Sequence, residues 1–222
     1  EKTDLILKPV VSDGGVGVMI VKKKDGYFLY NNTEMSWDEM VDSMKKLKGY
    51  LIQEKLIQRG FSNEIYSGSV NTMRIGTMID PETSIPFIAY AVHRFGTHES
   101  GFMDNVNQGG IAVLIDIETG VLSEGRRFSD SGEKFTYKLH PVSSNAIVNR
   151  VVPGWHDIKQ RIIEMARRMP YLKYVGWDVI LSGDELFILE GNVSPGIAMV
   201  QTFRPMIDFP RAWEFFKYYK YI

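Results

Sequence analysis

The stretch from Gly176 to Asn192, GWDVILSGDELFILEGN, constrains the fold of this chain more than any other. Two apolar runs flank the polar turn Ser182-Gly183-Asp184, which is the pattern of a β-hairpin. Asp178 lies near the start of the first predicted strand, and Glu190 and Asn192 close the second. Residues two apart on a strand project to one face, so Glu190 and Asn192 point the same way. Antiparallel return of the second strand can bring Asp178 beside them. Two carboxylates and an amide oxygen on one face form a hard, all-oxygen donor set of the kind that suits Mg²⁺ or Mn²⁺. A hairpin with solvated polar ends is the alternative reading of the same residues.

The chain has 222 residues, of which 44% are hydrophobic and 12% aromatic, enough to bury a core and too apolar for a disordered chain. One large domain or two small ones fit that length. A net charge of −1 gives no electrostatic case for nucleic acid or an anionic membrane as partner. Cysteine is absent, which excludes disulfides, thiolate metal sites and cysteine nucleophiles and fits a cytoplasmic location. No apolar run approaches the ~18 residues of a membrane span, and nothing resembles a signal peptide. The chain opens at Glu1-Lys2-Thr3 without an initiator Met and is expected to be part of a longer protein.

The order of elements predicts an α+β fold with largely antiparallel sheets. Residues 4–10 read as a short strand, with Pro9 suggesting an edge position. A glycine-rich turn, Gly14-Gly15-Val16-Gly17, leads to strands over 18–21 and 27–30. The Lys22-Lys23-Lys24 run between them is read as a solvated hairpin end. Ser36 and Glu39 form the capping box of a helix that runs to about Lys48 and ends at Gly49. A strand over 50–56 completes the first small subdomain. Residues 70–80 and 85–95 read as a strand pair joined at Asp80-Pro81-Glu82-Thr83, and 110–117 as a further strand. Residues 123–153 read as irregular. Apolar positions at Ile158, Ile162, Ile163, Met165 and Ala166 give a helical period up to Met169. The aromatic tail around Trp213, Phe215 and Phe216 reads as a packed C-terminal helix.

Four further motifs are candidates for chemistry. Lys8 followed by the glycine turn can close backbone N–H groups over phosphates, although glycines in a hairpin turn also serve positive φ. Gln53-Glu54-Lys55-Leu56 passes out of the first subdomain and offers the edge N–H and C=O groups that adenine needs; an ordinary half-polar strand reads the same way. Arg74 and Arg94 end or occupy predicted strands, and two fixed guanidinium groups near a divalent metal suit a phosphoryl group in transfer. Strand arginines are also common surface residues. Asp104-Asn105…Gly109-Gly110 sets hydrogen-bonding side chains against a close backbone approach, or is an Asx-rich turn. His140 either lines a substrate site or belongs to a plain turn before Pro141. His93, His98 and His156 do not have zinc-ligand spacing.

Together these residues resemble the ATP-grasp superfamily over nearly the whole chain. Ser69-Val70-Asn71-Thr72-Met73-Arg74, Asp104-Asn105…Gly109-Gly110, His140-Pro141 and Gly176-Trp177-Asp178 are similar to the signatures of its sugar-transfer-associated group. The resemblance implies two α+β subdomains holding ATP, with 1–55 the lid and its glycine flap and 56–222 the subdomain with the Mg-ATP and acceptor site. It implies that Lys8 contacts phosphates, that Gly14, Gly15 and Gly17 form a flap, and that Gln53, Glu54 and the backbone of Lys55 and Leu56 hold adenine. It implies Asp178, Glu190 and Asn192 as ligands of Mg²⁺, or Mn²⁺, with Arg74, Arg94 and Asn105 at the transferring phosphate. Two features depart from the pattern. The acidic ribose ligand is unclear, with Gln58 and Glu64 as candidates, and an N-terminal domain of the same protein, which usually completes the acceptor pocket, is expected in addition to this sequence. The expected activity is an ATP-dependent carboxylate–amine ligase acting through an acyl phosphate. Its substrates would be small-molecule, sugar-linked or peptide-linked. A phosphotransferase and a non-catalytic nucleotide-binding module are the alternatives.

Overall fold

In the computed structural model, residues 4–11, 16–31, 33–128 and 132–221 are described. The chain divides into two compact units, Glu1–Ile57 and Gln58–Ile222. Each carries its own antiparallel sheet, with one described helix in the first unit and several in the second, so the fold class is α+β. Among the described residues no helix is long and apolar enough to cross a membrane.

The first unit contains β1 (Leu5–Pro9), β2 (Met19–Lys23), β3 (Phe28–Tyr30), β4 (Thr33–Met35), α1 (Trp37–Lys45) and β5 (Tyr50–Glu54). The sheet order is β4-β3-β2-β1-β5. Leu7, Val21 and the α1 residue Met40 form its small core, with Leu5, Met19 and Tyr50 packed against them. Strand β1 is internal, which corrects the edge position inferred from Pro9. The reason lies in the register: pairing with β2 stops at Leu7↔Met19, while Pro9 lies opposite Tyr50 of β5. Proline sits at the last residue of the strand, where a missing N–H leaves no rung of the β2 ladder unmade. Helix α1 begins as expected, because Ser36 Oγ accepts from the Glu39 N–H while the Glu39 carboxylate accepts from the Ser36 N–H. It ends at Lys45, and Gly49 takes a φ of +68°, where its carbonyl receives the Val10 N–H at 2.7 Å.

The second unit contains α2 (Phe61–Ile65), β6 (Met73–Ile79), β7 (Pro86–Phe95), β8 (Ile111–Ile115), β9 (Leu122–Phe128), β10 (Lys134–Tyr137), α3 (Trp155–Arg168), β11 (Tyr174–Ser182), β12 (Glu185–Val193), α4 (Ala198–Gln201) and α5 (Pro210–Tyr218). The order is β10-β9-β8-β7-β6-β11-β12. The apolar stripe Ile158, Ile162 and Ala166 of α3 packs in one core with Ile75, Ala91, Val113, Val175 and Val179. The alternate residues of those strands, Met78, Tyr90 and Tyr174, build a second core with Ala212, Phe215 and Phe216 of α5. Residues 123–153 are not irregular throughout, since they contribute most of β9 and all of β10. Their sequence concealed this because β9, LSEGRRF, carries two adjacent arginines in place of an alternating apolar row. Arg126 and Arg127 lay their guanidinium groups over the Phe203 and Phe135 rings, so aliphatic stem and ring stacking replace the usual apolar signal.

Candidate active site

Strand β11 lies between β6 and β12, and that placement assembles the charged residues. Asp178 is the register partner of Arg74 on one side and of Glu190 on the other. A bulge at Asp178/Val179, where Val179 pairs with Ile188, leaves Leu189 as the extra residue of β12. Asn192 lies opposite Gly176, and its Nδ2 donates to Glu190 Oε1 at 3.3 Å. Gly176 is required here, because a Cβ would come within 2.9 Å of the Arg74 Cδ. Arg94 lies two residues beyond Val92, the partner of Arg74, and so projects from the same face. That face is the one α5 packs on; the charged residues occupy its other end.

Asp178 is 3% exposed and is held by both arginines. Arg74 Nε donates to Oδ1 and Nη2 to Oδ2 at 2.9 Å, a bidentate pair. Arg94 Nη2 lies 3.1 Å from Oδ2. Burial alone would raise the Asp178 carboxyl, but the Arg74 hydrogen bonds and the charge of Arg94 outweigh it and keep it below the usual carboxylate range. Arg94 is anchored from behind as well. Its Nε donates to Thr72 Oγ1 at 2.8 Å, and the Thr72 hydroxyl and N–H both donate to Asp104 Oδ2 at 2.6 Å. Asp104 is buried, which pushes its carboxyl upward against the opposing pull of Arg94 and Thr72.

The first unit presents its predicted residues separately. Lys8 lies opposite Leu51 and, with Gln53, on the sheet face away from Leu7; Glu54 falls in the row of Leu5 on the other face. Glu54 is exposed at the end of the edge strand β5. The Lys55 N–H donates to the Asp4 carbonyl at 2.7 Å, which leaves the Lys55 carbonyl as the group it can offer to a ligand. Gly17 has a φ of +79°. Gly14 and Gly15 lie outside the described residues.

The family of sugar-transfer associated ATP-grasp proteins matches residues 1–205. The chain belongs to it. Membership brings ATP binding and ATP use with it. No curated protein matches the chain.

Within this ATP-grasp chain several predicted residues have structural partners. Gln58 is buried, and its amide donates to the Asn71 and Leu181 carbonyls at 2.8 and 3.1 Å while accepting from the Asn71 N–H at 2.8 Å. Glu64, the other ribose candidate, accepts from Arg150 Nη2 at 2.7 Å. Asn105 caps a short 3₁₀ turn, its Oδ1 accepting from the Asn107 N–H at 3.0 Å. His140 is 1% exposed and stacked on Tyr66, with Nε2 donating to the Gly96 carbonyl at 2.8 Å. It locks a loop and does not line an open pocket. His93 is fully buried between Ser62 Oγ and the Arg94 carbonyl, and burial pushes its pKa down to about 3. Among the described residues no group of three or more His, Cys, Asp or Glu could hold a metal; the oxygen set on β11 and β12 has two carboxylates and an amide.

Sequence reasoning missed Thr72 and Asp104 as parts of the arginine cluster. Both lie in the family-like segments Ser69–Arg74 and Asp104–Gly110. The available signal was an aspartate beside a Gly-Gly turn, where a Cβ on Gly110 would sit 2.6 Å from the Asp104 carbonyl oxygen. Such packing withdraws Asp104 from solvent and requires a partner for its carboxylate.

Proposed function

We propose that this chain is an ATP-dependent carboxylate–amine ligase working through an acyl phosphate, on carboxylate and amine substrates of sugar-linked or cell-surface polysaccharide biosynthesis in the cytoplasm. The observation that carries this reading is the close company of an oxygen-donor trio, Asp178, Glu190 and Asn192, with Arg74 and Arg94 at one end of one sheet face. Hard oxygen donors of that kind fit Mg²⁺ or Mn²⁺. Asp178, Glu190 and Asn192 would hold such a cation, and it would supply Lewis-acid withdrawal of charge from the γ-phosphoryl group.

The protein's own groups account for the rest. Each guanidinium carries five N–H donors, so Arg74 and Arg94 retain N–H groups beyond those bonded to Asp178 and Thr72. These are suited to the oxygens of the γ-phosphoryl group and of the acyl phosphate, where negative charge accumulates. Asn105 is assigned near the same phosphate, and Lys8 with the glycine turn to the phosphates on the first unit. Glu54, the Lys55 carbonyl, Leu56 and Gln53 are assigned to adenine. Gln58 fits a role in holding Asn71 better than a role in holding nucleotide, since its amide is already bonded at both ends.

In the proposed reaction a substrate carboxylate oxygen attacks the γ-phosphorus, the bond to the β,γ-bridging oxygen breaks, and ADP leaves. The amine then attacks the acyl carbon, loses a proton and expels inorganic phosphate carrying one carboxylate oxygen. No protein nucleophile takes part. The test is ¹⁸O-labelled carboxylate incubated with ATP, Mg²⁺ and an amine panel. Label in the released phosphate supports the ligase; a phosphorylated product that persists without amine would establish a phosphotransferase instead.

A further inference from the structure

Asp104 lies 32 residues from Thr72 in sequence and reaches it from a loop outside the sheet. A carboxylate withdrawn from solvent is costly unless it is bonded. Here one oxygen, Oδ2, accepts both the Thr72 N–H and the Thr72 hydroxyl at 2.6 Å. A hydroxyl has one proton. With that proton committed to Asp104, the Thr72 oxygen can only accept, and it accepts from Arg94 Nε at 2.8 Å and from Arg94 Nη2. Replace the carboxylate, and the hydroxyl is free to turn its proton toward the guanidinium, donor against donor. Asp104 Oδ2 also lies 3.7 Å from Arg94 Nε, close enough for direct attraction.

Arg94 therefore has two anchors on opposite sides. One is Asp178 at 3.1 Å, whose carboxylate has other demands on it. The other is the Asp104–Thr72 pair, which involves none of the oxygen-donor trio. We propose that Asp104 is a positioning residue that acts through the Thr72 hydroxyl to hold Arg94 at the phosphate end of the site, independently of Asp178. The proposal rests on the nucleotide reading above. It makes the loop bearing Asp104 part of the apparatus that recognises the γ-phosphate.

The test uses the full chain with Thr72→Val, Thr72→Ser and Asp104→Asn, and titrates each with Mg-ATP and Mg-ADP by calorimetry. Loss of a placed, charge-assisted contact to the γ-phosphate should weaken ATP about tenfold in Thr72→Val and Asp104→Asn. ADP, which has no γ-phosphate, should change by less than about twofold, and Thr72→Ser should restore ATP binding. In parallel, the Arg94 Nε–H resonance of the nucleotide-free protein should be protected in wild type and Thr72→Ser and lost in Thr72→Val. An equal loss for both nucleotides, an unchanged ATP affinity, or a protected resonance in Thr72→Val would overturn the positioning role. A wild-type chain that binds neither nucleotide, with the resonances behaving as expected, would overturn the nucleotide reading and leave the Arg94 anchor standing.

Discussion

Replacing Asp178 with Asn removes the charge that two arginines share without changing the size of the side chain. Asp178 is 3% exposed, while the Arg74 and Arg94 side chains are 16% and 15% exposed. Breaking a buried ion pair by removing one partner costs about 3–5 kcal/mol. Partial solvation of both guanidinium groups, together with Asp104 beside Arg94, favours the lower end, about 3 kcal/mol. With an unfolding entropy of about 2.1 cal/mol/K per residue, that loss lowers the melting temperature of the Gln58–Ile222 unit by about 9 °C. The freed arginines should then accept an external anion. Phosphate at about five times its dissociation constant would return about 1 kcal/mol to Asp178→Asn, or about 3 °C, and little to wild type. Calorimetric melts in phosphate and in chloride of equal ionic strength measure both effects. A variant that melts within about 2 °C of wild type, or that gains no more from phosphate than from chloride, would refute the view that this carboxylate neutralises an anion-binding arginine pair.

Glu190→Gln should lower ATP turnover with the true substrates by about 10²–10³-fold, while its exposed position keeps the stability change within about 0.5 kcal/mol; retained turnover in steady-state assays would remove Glu190 from the mechanism. His93 supplies a pH dependence of stability. Its pKa is about 3 when folded against 6.5 for the ordinary group, so the unfolded chain binds the extra proton and the stability present above pH 6.5 is lost as pH falls through that window. The slope is about 1.4 kcal/mol per pH unit, and His93→Gln should flatten it in urea titrations between about pH 4 and 6; an unaltered slope would assign the proton elsewhere.

Much of the fold was legible because its signals are local. Ser36 and Glu39 lie three residues apart, and their reciprocal hydrogen bonds follow from that spacing. The Gly176–Asn192 hairpin was equally legible, since a polar turn between apolar runs allows one register that buries Val179 and Leu181. The central position of β1 was hidden because Pro9 marks an edge only when its N–H is needed, and that depends on where β2 ends. Strand β9 was hidden by Arg126 and Arg127, whose stacking partners lie 77 and eight positions away. The cluster was legible as a set of residue types but not as a set of bonds. Nothing in the sequence around Arg94 indicates that its guanidinium would rest on Thr72, or that Thr72 would be turned by a loop aspartate. Gln58, a candidate ribose ligand, and His140, in a signature segment, carried the opposite difficulty: both are bonded into the core.

The most direct test of the account is a crystal structure of the chain with Mg²⁺ and a nonhydrolysable ATP analogue. The account predicts a cation held by oxygens of Asp178, Glu190 and Asn192, with γ-phosphate oxygens within hydrogen-bonding reach of Arg74 and Arg94. A nucleotide bound away from Glu190 and the two arginines would contradict it.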